Sequence, residues 1–378
     1  IIASFLAHYK QSVHGALPIW SHMANENWCM IGYHGVSVLA DAYVKGIKMD
    51  PKLALEAVIS NSTIPYLDGL QSYMDLGYVP LNASRNSASV TLEYGYDDWT
   101  IYNMARLMGN TEIADKYLKR AAAYKYLVNE SLGFICPKDT NGNVKADFDV
   151  LDTHGQGFIE GNSWNYSFYV PQDVNGIKAF MGGDKRFIER LDSLFTMDLP
   201  AKYYENTEDI TKEGLMGNYV HGNEPSQHIP YLYMWTSQPW KTQYRLREIM
   251  DRMYRNNIDG LCGNDDCGQM SAWYIFSAMG FYPVCPGSDQ YVLGAPYFKE
   301  MVVHLENGKN LVIKAPKVSA RNRYVRWVKL NGKVYDKAYL THQDICNGGE
   351  LYFEMSSVPN KKRVFTEEQK PYSMTRGK

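Results

Sequence analysis

The sequence predicts a mainly α-helical fold, built of helical hairpins over residues 1–285, followed by a small antiparallel β region at 286–360 and a polar tail at 361–378. Two changes of pattern carry this reading. Up to about 285, apolar residues recur at helical spacing between Gly, Pro and Asn turns. Beyond it, short runs rich in Val, Tyr and Ile are separated by turn pairs, of which Asn307-Gly308 and Asn331-Gly332 are hairpin signals. The closing EEQKPYSMTRGK holds too little apolar surface to be fixed firmly.

Ile1, Ile2, Phe5, Leu6 and Tyr9 fall at helical spacing from the first residue with no capping residue before them, which reads as a cut inside or just before an amphipathic helix. Further helices are expected at 34–46, 51–60, 67–76, 97–108, 111–128, 171–181, 184–197, 210–220, 225–235, 239–254 and 270–279. Pro51 and Pro239 stand where a missing N–H costs nothing, and Gly46, Gly109 and Gly280 where a helix can stop. No repeat period argues for a regular solenoid. Long polar loops at 152–170, 221–228 and 261–269 call for a function.

Lys and Arg total 39 against 41 Asp and Glu, a net charge of −2, which excludes a basic nucleic-acid surface. No run approaches a membrane span. The 30 Tyr and 8 Trp exceed what a core alone recruits, because each carries a polar handle that needs a partner. Six Cys without dense spacing make no disulfide scaffold, and Cys262 and Cys267 lack the matching pair of a structural zinc site, so mostly buried thiols are expected. Sequons at Asn61, Asn82, Asn129 and Asn165 would permit glycosylation.

The three loops hold the candidate chemistry. In GFIEGNSWNY, Glu160 lies among Ile159, Trp164 and Tyr166, surroundings that would raise a carboxyl pKa and suit a general acid; the alternative is a turn carboxylate. In GNEPSQH, Asn223, Glu224 and Gln227 can converge as oxygen donors for a hard cation such as calcium, or form an N-capping turn. In GNDDCGQMSAWY, capping accounts for one of Asp265 and Asp266 and leaves the other for a base or metal ligand. Acids on separate polar loops amid rings point to glycoside hydrolysis. Convergence of His154, His221 and Glu224 would instead favour a zinc hydrolase.

At MIGYHGVSVLADAYVKGI, YGYDDWTIYNMARLMG, GFIEGNSWNYSFYVPQDV, HGNEPSQHIPYLYMW and GNDDCGQMSAWYIFSAMGFYPVCPG the sequence resembles glycoside hydrolase family 92, the calcium-dependent exo-acting α-mannosidases, over essentially the whole chain. The resemblance implies an (α/α)6 toroid, incomplete at its N-terminus, and an inverting mechanism. It implies Glu160 as general acid and Asp266 as general base, with Asp265 assisting. Asn223, Glu224, Gln227 and Asp266 would surround Ca2+. More thinly, it places Glu26 and Trp28 in leaving-group recognition, and Asp97, Asp98, Trp99, Trp164 and His228 around the sugar, with Trp99 also readable as core.

The implied partners are a mannose-containing glycan and an N-terminal β-sandwich missing from this chain, and the implied compartment is periplasmic or secreted. Without that missing portion, poor activity is expected. Two other readings stay open: a non-catalytic glycan-binding toroid, and another inverting glycosidase of the glucosidase or trehalase type.

Overall fold

The computed structural model describes residues 1–22, 25–204 and 211–376. The chain forms two compact units, one of Ile1–Gln172 with Cys285–Asp289, the other of Asp173–Val284 with Gln290–Lys378. The fold is mainly helical with a β region toward the C-terminus, the class the sequence predicts.

In the first unit, helices Ile2–Gln11, Gly35–Val44, Pro51–Asn61, Leu70–Leu76 and Thr111–Arg120 supply apolar faces to one core that includes Leu39, Val58, Leu70, Tyr94 and Tyr117. Asp50 caps the third of these through Lys52 N and Leu53 N, both at 3.1 Å, with Pro51 next to it. The longest helix, Ser87–Leu107, is buried on nearly every side and begins ten residues before the expected 97. Val90, Thr91 and Gly95 weaken its intrinsic helix preference, and burial among the other helices overrides that preference. The expected 111–128 helix stops at Arg120 and resumes as Tyr124–Leu127.

The second unit contains helices Val174–Phe180, Asp184–Thr196, Trp240–Met253 and Gln269–Met279. The helix expected at 210–220 is not formed: residue 210 lies outside the described residues, and Leu215–Met216 pairs with Tyr219–Val220 around Gly217 at φ 65°. A side chain at Gly217 would lie 2.4 Å from the Leu194 carbonyl oxygen, so glycine is required and the helix is broken. The 225–235 segment forms 3-10 turns, Glu224–Ser226 and Ile229–Trp235, each carrying a proline near its start.

Five strands then pair in the order Lys333–Tyr335, Tyr324–Leu330, Gly349–Ser356, Asn310–Lys314, Glu300–His304. All pairs are antiparallel except the parallel one between Asn310–Lys314 and Gly349–Ser356. Leu351, Phe353 and Met355 alternate inward along the central strand. Asn331 at φ 49° and Gly332 at φ 78° make the tight hairpin turn their sequence predicts.

The polar tail is held, contrary to expectation. Buried Asp173 accepts from Ser373 Oγ at 2.8 Å and from Thr375 N and Oγ1 at 2.7 Å each, while Phe365 is buried. Hydrogen bonds to a charged group replace the apolar area the tail lacks. Residues 377 and 378 of that tail lie outside the described residues. Only Cys136 and Cys262 of the six unpaired cysteines are buried, fewer than expected. Asn61 and Asn165 are buried too, and Asn61 Oδ1 accepts from Leu17 N at 2.7 Å, so those two sequons cannot carry a glycan in the folded chain. Among the described residues no helix is long and apolar enough to cross a membrane.

Candidate active site

Glu160 sits in the first unit on a loop docked to the N-terminus of Ser87–Leu107. The Gly157 carbonyl accepts from Ala88 N at 2.9 Å and Ser89 N at 3.2 Å, and Ile159 N donates to Ser89 Oγ at 3.2 Å. These contacts satisfy helix-end donors that would otherwise be orphaned. Asn162 then caps Ser163–Tyr166 in a reciprocal capping box with Asn165. Glu160 itself is half-buried, and the Trp164 ring meets Phe134 at 4.9 Å.

Among the described residues five non-glycine residues have positive φ: Trp28, Glu160, Asp266, Cys267 and Asn331. Asn331 belongs to a hairpin. The other four lie in segments singled out by the sequence, and non-glycine residues held there store strain of the kind that gathers at functional sites.

Asp97, Asp98 and Trp99, expected around the sugar, are buried within the first unit. Asp98 accepts from Tyr33 OH at 2.8 Å, Tyr73 OH at 2.9 Å and Arg120 Nε at 2.6 Å. Burial pushes its carboxyl up while Arg120 and the two phenols pull it down, and Asp98 in turn holds the guanidinium charged. Asp97 accepts from Tyr33 N at 2.9 Å and faces His34 Nδ1 at 2.9 Å, while His34 Nε2 meets Glu93 at 2.9 Å. Burial alone would lower the His34 pKa, but Asp97 and then Glu93 raise it well above its ordinary value. Little in the sequence announces this cluster, because Arg120 lies 22 residues beyond Asp98 and His34 is one of nine scattered histidines.

Glu26 organises its own loop. Its carboxylate accepts from Ile19 N at 2.7 Å, Trp20 N at 2.8 Å and Trp28 N at 3.1 Å; burial raises it, and these donors together hold it below the usual range. Trp28 stands edge-on to His14 at 5.5 Å and to Tyr66 at 6.4 Å, at the side of a cleft of about 490 Å³ that also takes in Asp68 and Arg85.

Asn223, Glu224, Gln227, His228, Asp265 and Asp266 all belong to the second unit. There the two remaining loops meet. A side chain on Gly263 would come within 2.6 Å of the Gly222 carbonyl oxygen, so the two backbones touch where only glycine fits. Gln269 Nε2 donates to Gln227 Oε1 at 2.6 Å, Gln227 Nε2 donates to the His221 carbonyl at 3.1 Å, and Trp273 Nε1 to the Gln227 carbonyl at 2.9 Å. Gln227 and His228 are buried, Glu224 and Asp266 exposed. Asp265 accepts from Ser271 N and Oγ, both at 2.9 Å, and is therefore the capping carboxylate. Asp266, at φ 44°, is the acid that capping does not explain.

His221 is closed to a metal ion. Tyr254 OH donates to the Met270 carbonyl at 3.1 Å and so accepts from His221 Nε2 at 2.8 Å, which leaves Nδ1 to accept from Tyr219 OH at 2.7 Å. Desolvation keeps the ring neutral, its pKa depressed to about 3. With both nitrogens committed the zinc-hydrolase arrangement fails. Among the described residues no group of three or more His, Cys, Asp and Glu could hold a metal ion.

The signature of the glycosyl hydrolase family 92 catalytic domain matches residues 1–357. The chain belongs to glycosyl hydrolase family 92. Among solved structures, this family 92 chain is 43% identical to a family GH92 alpha-mannosidase of Bacteroides thetaiotaomicron in complex with mannoimidazole, with a TM-score of 0.93 over 98% of this chain and 50% of that one. It is 41% identical to a family GH92 inverting mannosidase of the same organism, with a TM-score of 0.88 over 99% of this chain and 52% of that one. An uncharacterized secreted glycosidase of Arthroderma benhamiae is 27% identical over 83% of this chain and 43% of its own length. The chain thus spans about half the length of the relatives it matches.

Proposed function

We propose that this chain carries the catalytic residues of an inverting, calcium-dependent exo-α-mannosidase that removes terminal α-mannose from glycans, in the periplasm or outside the cell. The observation that carries the reading is the placement of Glu160 and Asp266 at left-handed φ on loops rigidly fixed to their own units, in a chain of family 92. In this mechanism Glu160 gives its proton to the glycosidic oxygen as the bond from C1 to that oxygen breaks. A water oxygen bonds to C1 from the opposite side and passes its proton to Asp266, giving β-mannose and the freed alcohol. Asp265, tied to Ser271, steadies the loop that carries the base.

The donor set fits calcium. Asn223 and Gln227 offer amide oxygens and Glu224 and Asp266 carboxylates, all hard ligands, on loops held together by the Gly222–Gly263 contact. When bound, the ion would supply Lewis-acid contact to sugar hydroxyls and ease ring distortion toward the oxocarbenium-like state. The chain's own part is to pre-set the ligands: Gln269 and the His221 carbonyl fix the Gln227 amide, and the neutral His221 behind it adds no competing positive charge. Trp164 and His228 remain proposed sugar contacts, and Glu26 and Trp28 proposed leaving-group contacts. Asp97, Asp98 and Trp99 act on the sugar only indirectly, by shaping the first unit's core.

An N-terminal β-sandwich like that of the family is proposed as a partner, tested by hydrolysis with and without it in trans. The main test is hydrolysis of an aryl α-mannoside and of α-mannobiose by the protein with calcium, with a chelator, and in the Glu160→Gln and Asp266→Asn variants. Loss with chelator and falls of about 10²–10⁴-fold in the variants support the reading. Chelator-insensitive cleavage of α-glucosides would favour a glucosidase type, and binding without hydrolysis a glycan-binding toroid.

A further inference from the structure

The strand Glu300–His304 closes one edge of the five-stranded sheet and pairs only with Asn310–Lys314. Just beyond its two ends, Leu305 N donates to the Lys309 carbonyl at 2.9 Å and Ala315 N to the Lys299 carbonyl at 2.8 Å. Bonded residues alternate along an antiparallel ladder, so Met301 and Val303 turn their main-chain groups to the neighbouring strand, while those of Glu300, Val302 and His304 point off the sheet. None of these outward groups finds a hydrogen bond among the described residues.

A bare row of donors and acceptors is a template for another strand, and proteins normally blunt it with shortness, lysine, proline or a bulge. The opposite edge of this sheet, Lys333–Tyr335, is three residues long and opens on a lysine. Glu300–His304 has no such protection. It holds neither lysine nor proline, pairs over all five residues without a bulge, and carries Val302, 43% exposed, at its centre.

What the edge fits is a copy of itself. Turned end for end about Val302, the strand sets Glu300 of one copy opposite His304 of the other and valine opposite valine, with these side chains on the solvent face of the sheet. Each of these pairs exchanges both of its main-chain bonds, because the outward groups of the two strands face one another. The charged groups are free for the purpose. Lys314, opposite Glu300 in the ladder, is committed to Glu350 at 2.8 Å. Asn310 Oδ1 accepts from His304 Nδ1 at 2.8 Å, which leaves Nε2 for a carboxylate.

We propose that Glu300–His304 is a self-pairing edge, to which a second copy of this chain adds antiparallel with Val302 on the two-fold axis. Five residues a side bury less than the roughly 1,000 Å² of a stable interface, so the dimer is weak and forms with rising concentration. The test is sedimentation velocity of the protein from about 1 to 300 μM, with amide exchange of residues 299–305 followed at both ends of that range. A shift from monomer toward dimer is expected, with exchange in that segment slowed about fivefold or more at the high end. Val302→Lys should abolish the dimer, as should His304→Glu, which sets carboxylates face to face. Adding Glu300→His to His304→Glu restores opposite charges in reversed order and should recover it. All three positions are exposed, so the variants should melt with the wild type. A protein monomeric throughout the range overturns the proposal, as does a dimer that leaves exchange at 299–305 unchanged or is indifferent to Val302→Lys. Failure of the double variant to recover the dimer overturns the register and the proposal with it. Protection of 299–305 at every concentration would show another segment or protein covering this edge, and would overturn it too.

Discussion

Gly222 and Gly263 touch through their backbones: a Cβ on Gly263 would lie 2.6 Å from the Gly222 carbonyl oxygen and 2.8 Å from its Cα. This contact brings the Asn223–Gln227 turn beside the loop of Asp265 and Asp266. Backbone atoms cannot rotate away as a long side chain can, so even a methyl group must part the loops. Gly263→Ala is predicted to cost about 1–3 kcal/mol of stability and to raise the calcium concentration needed for half-maximal activity. Denaturant unfolding and a calcium titration check both. An unchanged calcium response would show that the contact does not set the donor geometry.

Arg120→Met should destabilise the protein by about 3–5 kcal/mol, because it leaves the buried Asp98 carboxylate without its cation. Asp98→Asn should also lower the melting temperature while leaving KM for an aryl α-mannoside near wild type. A raised KM with unchanged melting would restore Asp98 to the sugar-binding role suggested by its sequence motif.

His34 and His221 should give opposite pH dependences. The folded pKa of His34 is raised by Asp97 and Glu93, so its contribution to stability is full below the unfolded value of about 6.5 and is lost as pH rises through the folded pKa. The stability gap between wild type and His34→Gln is therefore predicted to be widest at mildly acidic pH and to shrink in alkali. A gap independent of pH would contradict the His34–Glu93–Asp97 arrangement.

The folded pKa of His221 is depressed to about 3 by desolvation. Its neutral form stabilises above the unfolded value of about 6.5, and that stability is lost as pH falls toward the folded pKa. His221→Asn should reduce stability at neutral pH, through the lost bonds to Tyr219 and Tyr254, yet flatten the acid limb between about pH 6 and 3. Unfolding free energies measured across that range check the slope, and an acid limb as steep as wild type would count against it.

Much of the fold was legible because helical spacing and Asn-Gly turns are local signals. The Asn331-Gly332 turn and the Asp50-Pro51 helix start appear as read. What misled were segments where distant residues decide. Ser87–Leu107 is helical because it is enclosed, and 210–220 is not because Gly217 must pass the Leu194 carbonyl. The site was legible in part. The acids on polar loops stood out, and capping was expected to account for one of Asp265 and Asp266 without saying which; the Ser271 bonds make it Asp265. The pairing of Gln227 with Gln269 and the enclosure of Asp97 and Asp98 depend on three-dimensional neighbours that no spacing rule announces.

The account stands most directly on the stereochemistry of the first product. Proton NMR of the protein with calcium and an aryl α-mannoside should show β-mannose appearing first, mutarotating later to the α form, with both signals lost in Glu160→Gln and Asp266→Asn. Initial release of α-mannose, or undiminished hydrolysis in either variant, would contradict it.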